Sequence, residues 1–421
     1  MIKSWAGFNL GRRKVMVFVM CLCVCWGFMQ SPKLQDEVPQ KLVLDEVQQT
    51  QTSVNNQNHL LVEVPQKLVL DEVQQTQTQT TVNNQNHLWI TLAKHILLKQ
   101  SPHFNVVFSP LSILGMVGLM GSGSKGQTLH QVLSLLKTKT LDELNTHVSK
   151  LVSLMADGSS SGGPCLSFGN SAWIDQTLSL KTSFIQVLNN VYKATCKQVD
   201  FLNKAVAAVK EVNLWAEKKT SGLIKETDFH LIDGGKVKVP FMTSNQKQLV
   251  REFDGFKVLG LPYSQGEDKR RFTMYMFLPN EKDTIPFLLE KMGSESDFLE
   301  RHMPREEVDV GRFMIPKFRI SFGFEASDML KELGLVLPFT NEGLTEMADE
   351  GLGVSGINHK AFLEVNEEGT EAVAVTAVYF VNCITPDPVD FVADHPFLFV
   401  IREDVSGEVL FMGQVVNPSA H

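Results

Sequence analysis

Several signatures of catalysis are missing from this chain of 421 residues. It has no GxSxG nucleophile elbow and no HExxH motif, so it offers neither a hydrolase serine nor a metalloprotease site. No CxxC pair or His/Cys cluster has the spacing of zinc ligands. The run GLMGSGSKGQT lacks the Gly-Lys-Ser/Thr order of a phosphate-binding loop, and it predicts a turn between two helices. We therefore expect no catalytic residues, no metal and no cofactor.

Basic surface and paired cysteines are also scarce. The net charge of -8 disfavours a nucleic-acid partner, and the composition, 43% hydrophobic and 20% charged, is that of a globular protein. A disulfide framework needs dense and even cysteines in a short chain, whereas here three crowd near the N-terminus and three lie far apart. We therefore predict free thiols at Cys21, Cys23, Cys25, Cys165, Cys196 and Cys383.

Residues 1–30 resemble a targeting segment. Arg12, Arg13 and Lys14 precede an unbroken apolar run from Val15 to Met29. A run of this length suits the apolar core of a secretory signal peptide, because a membrane-spanning helix needs roughly 20 residues. The prediction is a protein of the extracellular space, although no Asn-x-Ser/Thr site gives a second sign of secretion. The alternatives are a membrane anchor through residues 15–29 and a cytoplasmic protein.

Residues 31–86 contain a tandem duplication. EVPQKLVLDEVQQTQT starts at Glu37 and again at Glu63, and VNNQNHL starts at Val54 and again at Val82. Two copies are too few for a solenoid, which needs at least three stacked units. Their Gln, Asn and Thr content predicts a low-complexity linker.

Residues 87–421 have the patterns of a folded body. Helical spacing of apolar residues occurs in the first part, and strand alternation dominates later. The end reads as a hairpin, and His395 before it is expected to be structural rather than a general base. Helices first and antiparallel strands later predict an α+β fold. The helical runs are LWITLAKHILLK, LHQVLSLLK and LNTHVSKLVSLM, and the strand runs are RFTMYMFLP, KFRISFGF, FLFVIRE and EVLFMGQVV.

The stretch from Glu367 to Asp390 is the most informative part of the chain. Gly369 can adopt backbone angles that other residues avoid, which suits a hinge, and Val373 and Val375 favour extended structure. Small residues alternate on one face of this potential strand, so that face can be buried under neighbouring strands. Two interpretations stay open, a core strand after a glycine turn and a segment that enters a sheet, and the pattern favours the second. The predicted hinge residues are Glu367, Glu368, Gly369, Thr370, Ala372, Ala374 and Thr376.

Several motifs in the same order resemble the serpin family. EEGTEAVAVTA resembles the serpin hinge, and DFVADHPFLFVIRE with GEVLFMGQVVNP resembles the C-terminal signature. NVVFSPLSI resembles the shutter segment, and VNLWAEKKTSGLIKE resembles the helix that crosses the main sheet. The resemblance is closest to plant-type, serpin-Z-like proteins and covers about Asn86 to Pro418.

The resemblance implies a fold and an activity. The fold would have N-terminal helices, a large mixed main sheet and smaller antiparallel sheets. The activity would be inhibition of a serine protease, or of a papain-like cysteine protease, by cleavage of a reactive loop that then inserts into the main sheet. The family's spacing places the cut between Cys383 and Ile384, and Asn382, Tyr379 and Phe380 are competing positions. The protein would be a monomer, an endopeptidase inhibitor and not an enzyme.

The resemblance also assigns a shutter and reveals two departures. The shutter residues are Ser109, Ser112 and His359. After GLIKE the family has a strand with the motif Asn-Ala-x-Tyr-Phe-Lys-Gly-x-Trp, whereas this chain passes directly to Thr227. The main sheet is therefore expected to lack one central strand, together with the asparagine that would join Ser109 and His359. The reactive loop is also a few residues short between Tyr379 and Val389.

Three functions follow from these observations. The first is protease inhibition by the suicide mechanism, which the hinge favours. The second is a non-inhibitory serpin-fold protein, a protease substrate or binding module, which the missing strand favours. The third is a membrane-anchored interaction protein that uses the apolar leader and the duplicated linker.

Overall fold

The computed structural model describes residues 16–24, 82–100, 103–156, 166–175, 178–199 and 226–420, apart from 366–387 and the single positions 245, 264, 266, 268, 283, 341, 350 and 351. In these ranges helices are concentrated in the first half and strands in the second, as the sequence predicts. The strands are β1 (Met16–Val24), β2 (Val106–Phe108), β3 (Leu166–Asp175), β4 (Ala194–Val199), β5 (Glu226–His230), β6 (Lys236–Met242), β7 (Leu249–Phe253), β8 (Phe256–Pro262), β9 (Phe272–Pro279), β10 (Val310–Pro316), β11 (Phe318–Glu325), β12 (Gly356–Val365), β13 (Val389–Val392), β14 (Phe397–Glu403) and β15 (Val409–Val415). The α-helices are α1 (82–94), α2 (Pro110–Ser122), α3 (Gly126–Leu135), α4 (Leu141–Leu154), α5 (Thr182–Asn190), α6 (Ile285–Ser294), α7 (Phe298–His302) and α8 (Ser327–Glu332). A π-turn at His95–Gln100 continues α1, and Leu337–Phe339 forms a 3-10 turn.

Three sheets organise the strands. The main sheet has five strands in the order β11-β12-β1-β3-β4, a second sheet has the order β13-β10-β6-β5, and a third has six strands in the order β2-β15-β14-β9-β8-β7. The main sheet is mixed, because β1 runs parallel to β12 and β3 runs parallel to β4, while its other pairs are antiparallel. This arrangement of helices and sheets confirms the predicted α+β class.

The centre of the main sheet holds a strand from an unexpected part of the chain. The sequence predicts a sheet that lacks one central strand after Glu226. In the structure β1 occupies the place between β12 and β3, so the sheet continues from β11 to β4. The residues that pair with β12 and β3 at this place therefore come from the leader-like segment.

The six-stranded sheet contains the predicted C-terminal hairpin. β14 and β15 pair antiparallel, and β14 also pairs with β9. The alternation in RFTMYMFLP predicts a half-buried strand, but every residue of β9 is buried. That part of the prediction is wrong, because β9 lies between β8 and β14 in the interior of the sheet and both of its faces are covered. In β11 the predicted alternation holds, since its buried residues alternate with more exposed ones.

The helices pack around α2. All residues of α2 from Pro110 to Gly121 are buried, whereas α3 and α4 bury one face each. The chain turns at residues 123–125 between α2 and α3, where the sequence predicts a turn instead of a phosphate site. Helix α1 begins at residue 82, inside the predicted linker. In this first part of α1, Val82 and Asn86 are buried, and the side-chain amide of Asn86 donates to the carbonyl of Gly407 at 3.0 Å, so these residues pack against the folded body.

Candidate functional site

The predicted shutter lies where β2 passes into α2. Ser109 follows β2 and caps α2, with its Oγ accepting the backbone N–H of Ser112 at 3.1 Å. Pro110 occupies the first turn of the helix, where a missing N–H costs no hydrogen bond. The local sequence Ser-Pro-x-Ser therefore sets the start of a helix that is buried along its length.

His359 of β12 completes this site. Its ring is buried, and its Nε2 lies 3.0 Å from the backbone nitrogen of Ser109, whose N–H it accepts. An accepting Nε2 places the ring proton of a neutral imidazole on Nδ1. Burial lowers the pKa of His359 to about 3, so the ring is neutral at pH 7. The structure thus joins β12 to the start of α2 through one uncharged histidine.

Two polar atoms of the shutter have no partner among the described residues. They are Nδ1 of His359 and Oγ of Ser112, and both are buried. A buried polar group without a hydrogen bond costs about 1–3 kcal/mol. The family resemblance places an asparagine at this point of the network. Here the register of the sheet pairs His359 with Met20 of β1, and methionine is by its chemistry only a weak acceptor.

The predicted site residues divide into two groups. The structure brings together Ser109, Ser112 and His359, which are up to 250 positions apart in the chain. The hinge and cut residues, which are Glu367, Glu368, Gly369, Thr370, Ala372, Ala374, Thr376, Cys383 and Ile384, lie outside the described residues. The two ends of their segment are described. β12 ends at Val365 in the main sheet, and β13 starts at Val389 and pairs with β10 in the second sheet.

His395 has the environment of a structural histidine. Its Nδ1 lies 2.9 Å from Oδ1 of Asp394, and its Nε2 lies 2.8 Å from the carbonyl oxygen of Pro279. Because both ring nitrogens face acceptors, neither is free to act as a general base.

The sequence reasoning missed a buried polar cluster between α4 and the C-terminal hairpin. Nε2 of His147 lies 2.8 Å from Oε1 of Gln85 and 3.4 Å from Oε1 of Glu408. Burial lowers the pKa of His147 to about 4 and raises the pKa of Glu408 to about 8. Both groups are therefore uncharged at pH 7, because neither gains enough from its neighbour to offset lost hydration. No sequence pattern marks these residues, since three separate segments contribute them.

Metal and membrane sites are not evident in the described ranges. Among the residues that the structure describes, no cluster of three or more His, Cys, Asp or Glu side chains could hold a metal ion. Within the same residues, no helix has both the length and the apolarity to cross a bilayer.

Comparisons with known proteins assign the family. The model of the family "Serpin (serine protease inhibitor)" matches residues 83–227 and 223–418. Serpin-ZX of Arabidopsis thaliana is 48% identical in an alignment 373 residues long, which covers 78% of this chain and 95% of that protein. Serpin-ZXA of Oryza sativa subsp. japonica is 45% identical over 357 residues, with 75% of this chain and 90% of that protein covered.

Solved structures agree with these relatives. The native stressed conformation of Arabidopsis AtSerpin1 is 45% identical and superposes with a TM-score of 0.75, covering 82% of this chain and 99% of that one. Maspin is similar in fold alone, with 20% identity, a TM-score of 0.67, and 81% of this chain and 99% of that one covered.

The family-model match is divided near the position of the predicted gap. The family model matches in two pieces that meet at residues 223–227, where the central strand is expected to be missing. The alignment with Serpin-ZX is also longer than the part of this chain that it covers, so that relative has residues that this chain lacks. Membership supports protease inhibition as the general activity, because the family is described as one of serine protease inhibitors. The chain belongs to the serpin family and is a plant-type serpin.

Proposed function

We propose that this chain inhibits serine-type endopeptidases, and papain-like cysteine proteases, by a suicide mechanism. The protease attacks the peptide bond after Cys383, so that its nucleophile becomes acylated by this residue and the new N-terminus at Ile384 departs. The freed segment then enters the main sheet and carries the protease with it. Pairing of the new strand with its neighbours supplies the driving force.

The connection between two sheets is the observation that carries this proposal. β12 of the main sheet ends at Val365, directly before the predicted hinge, and β13 of the second sheet starts at Val389. Residues 366–388 therefore link two different sheets. Connections longer than about 12–15 residues are uncommon in compact domains, and those that occur are mostly functional.

The residues of this connection indicate the class of target. No Lys or Arg occurs between Glu371 and Asp390, so a trypsin-like pocket has no cation to bind. The residue before the cut fills the primary specificity pocket, and Cys383 is small and apolar. The expected partners are therefore proteases that accept small or apolar residues, and the inhibitor acts as a monomer.

Complex formation tests the proposal. The full chain is incubated with chymotrypsin-like, elastase-like and papain-like proteases and separated on a denaturing gel. We expect a covalent complex that survives denaturation with at least one of them. Cleavage of the loop with full recovery of protease activity in every reaction would overturn the inhibitory function.

Two matched variants separate trapping from simple cleavage. In Ala374→Arg the cation falls on the face of small residues, so insertion would bury an unpaired charge at high cost. In Val375→Arg it falls on the opposite face. On that face the β12 residues Lys360 and Glu364 stay half-buried, so a long side chain can reach water. We expect Ala374→Arg to be cleaved without forming the complex, and Val375→Arg to retain it.

The incomplete shutter favours the second candidate function, a non-inhibitory protease substrate or binding module. With Nδ1 of His359 and Oγ of Ser112 unpartnered among the described residues, the network that links β12 to α2 is weaker than a fully satisfied one. A sheet held less firmly could admit the loop before any protease arrives, and trapping would then be lost. In that case the intact chain forms no covalent complex at the outset. Brief heating below its unfolding temperature therefore has no complex-forming activity to remove.

A further inference from the structure

The central strand of the main sheet is the feature that calls for a role beyond the family match. β1 lies outside the matched residues 83–227 and 223–418, yet it pairs along its whole length. Eight pairs join it to β12, from Val17 with Gly356 to Val24 with Leu363, and nine pairs join it to β3. We propose that Met16–Val24 is a permanent strand of this serpin's main sheet that replaces the central strand missing after Glu226.

The composition of the segment suits this place. All nine residues, MVFVMCLCV, are apolar. Val and Phe favour extended structure, and every second residue of the adjoining β12 is buried, so a strand beside it has an apolar side to pack against. Nine residues also match the ten-residue lengths of β3 and β12, so the ladders on both sides are complete.

Because β1 runs parallel to β12, a loop strand can insert between the two and be antiparallel to both. β1 runs parallel to β12 and antiparallel to β3. A segment that leaves β12 at Val365 and folds back must run antiparallel to β12, and it would then also be antiparallel to β1. β1 thus forms the second wall of the insertion slot, and only the β1–β12 ladder has to open. This consequence rests on the proposed inhibitory function, whereas the placement of β1 does not.

The chain is long enough for its own N-terminus to reach the slot. Residues 25–81 separate β1 from α1, and at roughly 3.3 Å per residue they extend to about 190 Å. A folded body of this size has a radius of gyration of about 20 Å. A tethered strand also binds at a high effective concentration, which favours pairing within one chain over exchange between chains.

The placement gives the leader-like segment a new meaning. Cleavage of a signal peptide after the apolar run would remove β1 from the protein. A retained strand and a cleaved secretory leader therefore exclude each other, and we infer that the N-terminal segment is kept.

Disulfide trapping tests the register. In the full chain, Cys23→Ser and Cys25→Ser leave Cys21 as the one cysteine of the segment, and Lys360→Cys puts a thiol on its partner position in β12. Neighbouring strands lie about 4.8 Å apart, within the Cα–Cα range of about 4.4–6.8 Å that a disulfide spans. The matched control is Glu364→Cys, on the same face of β12 but four residues further along, about 13 Å away at the rise of a strand.

After mild oxidation, peptide mass mapping should find Cys21 linked to the cysteine at position 360 and not to the one at 364. The product should migrate as a monomer on a non-reducing gel. No link at position 360, or equal links at both positions, would overturn the proposal. A disulfide-linked dimer would show that the strand comes from a second copy, which overturns the assignment to the same chain.

A second comparison does not depend on thiol chemistry. Proline within a central strand removes a ladder hydrogen bond, so Met20→Pro should lower the midpoint of thermal unfolding by several degrees or prevent folding. Gln49→Pro in the duplicated segment should shift it by less than about 1 °C. Equal midpoints for the two variants would contradict the inference. Neither test uses a protease, so their outcome is independent of complex formation.

Discussion

The two serines of the shutter are expected to respond to truncation with opposite signs. Ser109→Ala removes the acceptor for the backbone N–H of Ser112, which caps α2 at 3.1 Å. Loss of such a cap costs about 1 kcal/mol. Ser112→Ala instead removes a buried hydroxyl that has no partner among the described residues, and places the best helix former in the first turn of α2. The gain is about 0.5–1 kcal/mol.

Thermal unfolding followed by circular dichroism at pH 7 measures both effects. At about 2.1 cal/mol/K per residue, 1 kcal/mol shifts the midpoint of a folded body of about 335 residues by about 1.4 °C, so the two variants should differ by about 2–3 °C. Ser153→Ala serves as the control, because Ser153 is an exposed serine of α4. If Ser112→Ala lowers the midpoint as much as Ser109→Ala does, the hydroxyl of Ser112 has a partner and the reasoning about the incomplete network is refuted.

Three further predictions concern buried charge and the cut. Burial lowers the pKa of His359 to about 3 in the folded state. The stability that the neutral ring contributes is therefore present above pH 6.5 and is lost as the pH falls towards 3, by about 1.4 kcal/mol per pH unit. In urea unfolding between pH 7 and pH 4, the free energy of unfolding should fall less steeply for His359→Gln than for the unchanged protein. Burial raises the pKa of Glu408 to about 8, so the folded protein keeps a proton that the unfolded chain releases, and its contribution is lost as the pH rises from 4.5 through 8. Glu408→Gln should therefore raise the free energy of unfolding by about 2–3 kcal/mol at pH 7 and change it little at pH 4.5, and an equal gain at both pH values would contradict the assignment. Cys383→Arg should create cleavage by trypsin at this bond, with a fragment that starts at Ile384 in mass spectrometry, and a fragment with another start would move the cut site.

Local sequence patterns predicted strands well where the pattern depends on the strand itself and not on the strands around it. The alternation in KFRISFGF corresponds to β11, an edge strand of the main sheet, and the run FLFVIRE with its partner forms the hairpin β14–β15. Although every residue of β14 and β15 is buried, alternating patterns such as that of β11 come from side chains that point in turn to the core and to more exposed positions. They fail where both faces are covered, as in β9, because burial then depends on neighbouring strands that the local sequence does not show.

The shutter could not be predicted from periodicity at all. Ser109 and His359 are 250 positions apart and meet only in the folded protein. The family resemblance located them because its motifs carry the positions of such contacts. The resemblance also predicted the missing asparagine, and Nδ1 of His359 is without a partner among the described residues. The hinge and the cut site stay predictions, since they lie outside the described residues.

The N-terminal segment shows why a sequence pattern can have two meanings. An apolar run of about 15 residues after basic residues is typical of a secretory leader. The same run is also compatible with an inner strand of a sheet, because its Val and Phe residues favour extended structure. Nothing within residues 15–29 separates these meanings, because both depend only on the absence of polar side chains.

The missing central strand and the apolar segment near the N-terminus have one explanation when β1 is taken into account. A serpin domain without its central strand would leave the inner edges of β12 and β3 unpaired, and their buried N–H and C=O groups would need other partners. An apolar segment near the N-terminus of the same chain pairs with both edges, parallel to β12 and antiparallel to β3. A leader added to an intact domain explains neither the gap nor this pairing, whereas a replacement strand accounts for both. What replacement does not restore is the asparagine of the shutter, because Met20 stands at the position paired with His359. The described strands pair without a break from β11 to β4, whereas Nδ1 of His359 and Oγ of Ser112 have no partner among the described residues. We therefore expect the stability of the sheet, rather than its topology, to decide whether the proposed trapping of a protease occurs.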